Sequence, residues 1–138
     1  MKNNKKIKIH IKNNHWAPGS FPSDAEGEKN FTITKEHLDK ALKQFPEIKK
    51  KIQIFIDWDE DNFKTSMTDS DVLLAWNFST KNLKKIAPNL KWIHLISAGV
   101  EHLFPLDWMF DGLVLTNSSG VHSKNAGEYG LMSILMLQ

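Results

Sequence analysis

The sequence predicts an α/β protein built around an open, parallel β-sheet of five strands. Segments with the patterns of β-strands alternate along the chain with segments of helical periodicity, and this alternation is typical of β-α-β units. The 138 residues are enough for one domain with its own hydrophobic core. Connections between parallel strands are right-handed, so we expect both faces of the sheet to be covered.

Five segments carry strand patterns. Residues 5–11 alternate isoleucine with lysine and histidine, which predicts a strand that is half-exposed or at the edge of the sheet. Residues 51–57 alternate in the same way. Residues 72–76 form a continuous apolar run, typical of a strand buried on both faces. The last two predicted strands cover residues 91–96 and 113–116.

Three segments carry helical signals. Thr34 can cap the first helix, and Pro46 disfavours its continuation. Its apolar stripe consists of Leu38, Ala41, Leu42 and Phe45. A second helix is predicted from about residue 80 to residue 87, and a third over residues 123–138. The order of strands and helices predicts a flavodoxin-like fold, in which five parallel strands form an open sheet.

The remaining segments are predicted loops, and the last helix is unusual. Residues 13–30 contain two prolines and two glycines and are long for a connection, whereas residues 58–70 read as an acidic loop with one helical turn. The helix at 123–138 is apolar on nearly all sides, so it needs burial on more than one side. Since it has no closing glycine, proline or basic residue, we expect it to belong to a larger buried element.

Composition excludes several classes of function. The absence of cysteine excludes disulfides, thiolate metal sites and cysteine nucleophiles. A net charge of +2 is too small to indicate a nucleic-acid partner, and no apolar run approaches the ~20 residues of a membrane span. The amino terminus does not resemble a secretory signal, so we expect a cytoplasmic protein. All eighteen basic residues are lysines, which leaves no arginine to grip a carboxylate with two hydrogen bonds.

The best candidate for a binding site is the turn after the fourth strand. Ligands of open parallel sheets bind beyond the carboxyl ends of the strands. Residues 97–100 (Ser-Ala-Gly-Val) lie there, and consecutive backbone N–H groups in such a turn can bind a carboxylate. A tight turn without a ligand is the alternative. The acidic residues 57–61 can hold Mg²⁺, but a solvated loop is the preferred interpretation, and we predict no metal site.

Several segments resemble one enzyme family. They are residues 71–76 (DVLLAW), 90–103 (LKWIHLISAGVEHL), 114–122 (VLTNSSGVH) and 127–131 (GEYGL). Together they are similar to the D-isomer-specific 2-hydroxyacid dehydrogenases, especially the glyoxylate and hydroxypyruvate reductase branch. Gly127 stands where the family has alanine. The resemblance covers about residues 70–138, whereas residues 1–69 match only in the order of their elements.

The resemblance implies a domain organisation. Residues 1–117 would form the flavodoxin-like substrate domain, without its carboxyl-terminal return segment. Residues 118–138 would form a crossover helix that leads into an NAD-binding domain of Rossmann type, which the chain does not contain. The family's glycine-rich dinucleotide loop and its catalytic Arg, Glu and His have no counterpart here. We therefore expect this chain to contain no catalytic residue and to bind no cofactor by itself.

The resemblance also implies a function and site residues. The family reduces 2-keto acids with NAD or NADP. Backbone N–H groups of Ala98 and Gly99 would bind the substrate carboxylate, Trp76 would lie near the substrate mouth, and Ser123 would lie near the nicotinamide. We expect a homodimer through the last helix, with no nucleic-acid or membrane partner. The alternative is a stand-alone module that binds small carboxylates or has a regulatory role.

Overall fold

The computed structural model describes residues 5–20 and 29–137. Within these residues, parallel strands form an open sheet with the order β2-β1-β3-β4-β5. The strands are β1 (Ile7–Asn13), β2 (Ile52–Trp58), β3 (Val72–Ala75), β4 (Trp92–Leu95) and β5 (Val114–Thr116). This is the flavodoxin-like strand order, so the predicted α/β fold class is confirmed.

Helices connect the strands and end the described chain. The α-helices are α1 (Lys35–Leu42), α2 (Pro46–Lys49), α3 (Phe63–Met67), α4 (Leu83–Ile86) and α5 (Ser123–Met136). Two single 3₁₀ turns, Glu101–Leu103 and Leu106–Trp108, lie between β4 and β5. The Thr34 hydroxyl accepts a hydrogen bond from the His37 amide at 3.2 Å, which confirms the predicted cap of α1.

The prediction that the first strand is an edge strand is wrong. β1 lies between β2 and β3, and its carboxyl-terminal half is buried. His10 packs between Phe55 and Phe63, with ring centroids 5.5 and 5.7 Å away, and Lys12 is also buried. The alternating pattern arises because one face of β1 carries isoleucines while the other carries polar side chains that are nevertheless covered.

Two other predicted elements differ from the structure, and a third is confirmed. β3 is not buried on both faces: Leu73 and Ala75 are buried, whereas Val72 and Leu74 are partly exposed. The helical turn predicted within the acidic loop is α3, whose Phe63 and Met67 are fully buried in the core. The helix predicted at 80–87 is reduced to the single turn of α4. The predicted loop at 13–30 lies partly outside the described residues, as does the predicted end of the last helix.

The hydrophobic core lies on one face of the sheet. Its main members are Phe63, Met67, Leu73, Ala75, Phe78, Leu83, Ala87, Leu90, Ile93, Leu95, Leu103 and Leu113. On the opposite face, Trp92 and Val114 remain 43% and 54% exposed. α5 has no buried residue within its described length. Its apolar side chains, such as Leu131 and Ile134, are exposed. The burial expected for this helix is therefore not met within the single chain.

No helix among the described residues combines the length and the apolar character that crossing a bilayer requires.

Candidate functional site

A cleft of about 350 Å³ lies where the carboxyl ends of β3, β4 and β5 meet. It is lined by Phe31, Trp76, Ile96, Ser97, Ala98, Gly99, Glu101, His102 and His122. The structure therefore brings the predicted substrate residues Trp76, Ala98 and Gly99 to one place. Ser123 is not part of the lining. Its hydroxyl donates to the carbonyl of Gly120 at 2.7 Å, at the exposed start of α5.

The floor of the cleft is the turn after β4. Ser97 Oγ donates to the carbonyl of Gly99, and Asn117 Nδ2 donates to the carbonyl of Ala98, both at 2.8 Å. These bonds satisfy the carbonyls and fix the turn. The N–H groups of Ala98, Gly99 and Val100 donate to no acceptor within the part of the chain that the structure describes. Of these three residues, Ala98 and Gly99 line the cleft, so their two consecutive amides are the candidates to bind an oxyanion.

The backbone of Gly99 has another group close to it. A Cβ built on Gly99 would contact the Oε2 atom of Glu101. This carboxylate brings a negative charge to the cleft, which opposes a bound anion. His102 and His122 line the same cleft.

Trp76 is held at the mouth of the cleft by two hydrogen bonds to the turn that follows β3. His102 Nε2 lies 2.9 Å from the carbonyl oxygen of Trp76; because a carbonyl only accepts, this nitrogen carries the proton. Lys12 Nζ donates to the next carbonyl, that of Asn77, also at 2.9 Å. His102 and Lys12, which come from distant elements, therefore fix the backbone that carries the Trp76 indole.

Lys12 was not predicted as a functional residue, because lysines that alternate with isoleucines indicate a solvated strand face. Its side chain is only 2% exposed, and its second partner is Glu60 Oε1 at 3.4 Å. Burying an ammonium group is unfavourable, and an ion pair seldom stabilises more than an apolar side chain of similar size. We therefore interpret Lys12 as a residue that positions the turn after β3.

Replacing Lys12 with methionine should test this role. We expect the free energy of unfolding to change by less than about 1 kcal/mol, because Glu60 and Asn77 can turn to water. The indole N–H resonance of Trp76 in a ¹H–¹⁵N NMR spectrum should nevertheless shift. The matched control is Lys8→Met, in the same strand, which pairs with the exposed Asp69 and should leave that resonance in place. An unchanged Trp76 resonance in Lys12→Met would contradict the positioning role.

The acidic residues at the end of β2 and in the following loop are not simply solvated. Asp57 is buried, and its Oδ1 accepts from the Trp58 amide at 2.8 Å. Asp59 forms hydrogen bonds with the amide and ring of His15, at 2.9 and 2.5 Å. Burial acts to raise the pKa of Asp59, but the hydrogen bonds from His15 outweigh it and hold the pKa below its ordinary value. Among the described residues, no group of three or more His, Asp or Glu side chains could hold a metal ion.

The cleft combines free backbone amides, an aromatic wall and two imidazoles, so it is suited to a small organic acid. Sequence reasoning found Ala98 and Gly99 in the small-residue turn after the fourth strand, and Trp76 through the resemblance that residues 71–76 carry. It missed Phe31, which no sequence pattern marks, and His102, which lies in a 3₁₀ turn within segment 90–103 but received no predicted role. Comparison of the whole chain with known proteins finds no matching family model, curated protein or solved structure.

Proposed function

We propose that this chain is the substrate domain of an NAD(P)-dependent D-2-hydroxyacid dehydrogenase. The carboxylate of a small 2-keto or 2-hydroxy acid would bind to the N–H groups of Ala98 and Gly99. The observation that carries the proposal is the set of consecutive amides with no acceptor among the described residues, at the carboxyl edge of a flavodoxin-like sheet. The resemblance of residues 90–103 and 114–122 to that family supports it.

The residues of this chain would bind and orient the acid. Ser97 and Asn117 fix the turn that presents the amides, so the carboxylate meets donors that are already in place. Trp76 would exclude water from one side of the bound acid. Because the chain has no arginine, the carboxylate would not receive a bidentate guanidinium contact from it.

The dinucleotide does not fit this chain alone. The sequence contains neither a G-x-G-x-x-G loop nor another phosphate-binding loop of recognised type. Ser123, expected near the nicotinamide, is exposed and outside the cleft. We propose that NAD or NADP, which supplies the hydride in this family, is held by a further domain, with Ser123 facing it from the start of α5.

Titration calorimetry tests the binding of pyruvate and of NADH separately. We expect pyruvate to bind weakly, with a dissociation constant on the order of millimolar, because a few amides provide most of its contacts. We expect no binding of NADH, and no NADH oxidation with glyoxylate or hydroxypyruvate. If neither pyruvate nor a larger 2-keto acid binds, the carboxylate site is contradicted. NADH oxidation by the isolated chain would contradict the assignment of the dinucleotide to another domain.

A second candidate function is a stand-alone module that binds carboxylates. It is favoured by one observation, namely that the amides, the aromatic wall and the histidines of the cleft all belong to this chain. Fusion of a dinucleotide-binding domain after residue 138 separates the two. Restored NADH oxidation with a 2-keto acid supports the dehydrogenase, whereas unchanged pyruvate binding with no oxidation favours the module.

We also propose that a second copy of the chain packs against α5. This helix exposes Tyr129, Leu131, Met132, Ile134, Leu135 and Met136, and an apolar surface of this kind favours association. Sedimentation velocity should show a dimer that Leu135→Lys dissociates. Asn125→Lys adds the same charge at an exposed polar position of α5 and should leave the dimer intact. A monomer at every concentration would refute this proposal.

A further inference from the structure

One side of the cleft is an aromatic wall. The rings of Phe31 and Trp76 have centroids 4.6 Å apart and planes at 83°, an edge-to-face arrangement. Both side chains are partly buried, and both line the same cleft as Ala98 and Gly99. Apolar rings and residues with unpaired backbone N–H groups thus line one cleft.

This wall is rigidly supported. The Trp16 ring packs edge-to-face against Trp76 at 5.4 Å, without entering the cleft itself. Lys12 and His102 hold the carbonyls of Asn77 and Trp76. A ligand that packs against the wall therefore spends little free energy on ordering side chains, which favours affinity.

The cleft has room for an acid larger than pyruvate. A volume of about 350 Å³ falls within the range of sites for drug-sized ligands, and is roughly ten times the ~30 Å³ that one water molecule occupies in the liquid. An acid of two or three carbons would fill only the end next to the amides. The rings of Phe31 and Trp76 would then stay in contact with water, so binding would gain no free energy from burying them.

The charge in the cleft selects against a second acidic group. The Glu101 carboxylate lies beside Gly99, next to the amides that would receive the ligand carboxylate. A ligand with another carboxylate at its far end would add repulsion to an already acidic cleft. An uncharged ring avoids this repulsion.

We infer that the cleft selects 2-keto acids with an aromatic side chain, an inference that rests on the proposed carboxylate site. The amides of Ala98 and Gly99 receive the carboxylate, and the ring packs against Phe31 and Trp76. Aromatic pairs contribute beyond the area that they bury, so the ring adds both contact and orientation.

Titration calorimetry with phenylpyruvate, pyruvate and oxaloacetate tests this inference. Phenylpyruvate should bind at least about tenfold more tightly than pyruvate, and oxaloacetate no more tightly than pyruvate. Trp76→Leu and Phe31→Leu should each weaken phenylpyruvate binding several-fold, and by a larger factor than they weaken pyruvate binding. Trp92→Leu is the matched control: this tryptophan is exposed, does not line the cleft, and should affect neither acid.

The outcomes separate this inference from the function on which it rests. Equal affinities for phenylpyruvate and pyruvate, or equal losses for both acids in the two cleft variants, would overturn the aromatic selectivity while leaving the carboxylate site intact. If neither acid binds to the unmodified chain, the carboxylate site and the selectivity both fail. Circular dichroism of each variant identifies misfolding, and the conservative Trp76→Phe keeps the test valid if Trp76→Leu does not fold.

Discussion

Between neutral pH and about pH 4, the free energy of unfolding should fall by roughly 3 kcal/mol because His10 must remain uncharged in the folded protein. His10 is fully buried in β1, and neither ring nitrogen has a hydrogen-bond partner among the described residues. Burial lowers the pKa of His10 from 6.5 to about 4; the charge of Asp57 raises it, and that of Lys12 lowers it further.

The sign of this effect follows from proton binding. In the unfolded chain His10 takes up a proton near its ordinary pKa of 6.5, whereas in the folded chain it does so only near pH 4. Between these values the unfolded state binds more protons, so acid favours unfolding. The contribution of uncharged His10 to the free energy of unfolding is fully present above pH 6.5. It decreases as the pH falls towards 4, and His10 causes little further loss at lower pH.

Urea denaturation at several pH values measures the effect, and His10→Leu removes it. This variant should be more stable at neutral pH by about 1–3 kcal/mol, because two unsatisfied polar atoms are lost from the core. Its stability should also decline much less between pH 6.5 and pH 4 than that of the unmodified chain. His122→Gln, at an exposed position, is the control and should retain the full decline. Equal declines with and without His10 would show that its protonation is not the cause.

The positions of the strands could be predicted from the sequence, but the place of β1 in the sheet could not. Alternation and the prolines and glycines that punctuate the chain are local signals, so β4 was predicted at 91–96 and lies at Trp92–Leu95. Strand order depends on pairing between distant segments. An edge strand and a central strand with covered polar residues such as His10 and Lys12 have the same alternating pattern, so the pattern does not distinguish them.

The candidate site was predictable to the extent that its residues follow strands directly. Ala98 and Gly99 come after β4, and Trp76 follows β3, so the topology brings them together at one edge. Phe31 reaches the cleft from a region with no periodicity, and its position depends on tertiary packing. The burial of Lys12 could not be predicted either, because a lysine is expected to be exposed unless its buried partners are known.

The substitution Gly99→Ala should abolish most carboxylate binding while the protein remains folded. The added methyl group would contact the carboxylate of Glu101, which is the far end of a mobile side chain and can rotate away. The free energy of unfolding should therefore change by less than about 1 kcal/mol. The methyl group narrows the approach to the amides, and a misfit of one methyl group weakens binding by about tenfold or more.

Two further variants show whether weaker binding in Gly99→Ala comes from restricted access to the amides or from repulsion by Glu101. Gly127→Ala, in α5, adds the same methyl group where no atom lies within 4 Å, so it should raise helix stability by about 0.5–1 kcal/mol and leave pyruvate binding unchanged. Glu101→Gln keeps the shape of the cleft but removes its negative charge, so pyruvate should bind several-fold more tightly.

Calorimetry of these three variants, and of the double variant Gly99→Ala/Glu101→Gln, decides whether the turn after β4 binds the carboxylate. If the amides of Ala98 and Gly99 are the donors, affinity must fall in Gly99→Ala even when Glu101 is also changed to glutamine, since the methyl group restricts access whatever the charge. If affinity instead recovers fully in that double variant, repulsion by the displaced Glu101 would explain the loss. The amides would then no longer be required to account for binding.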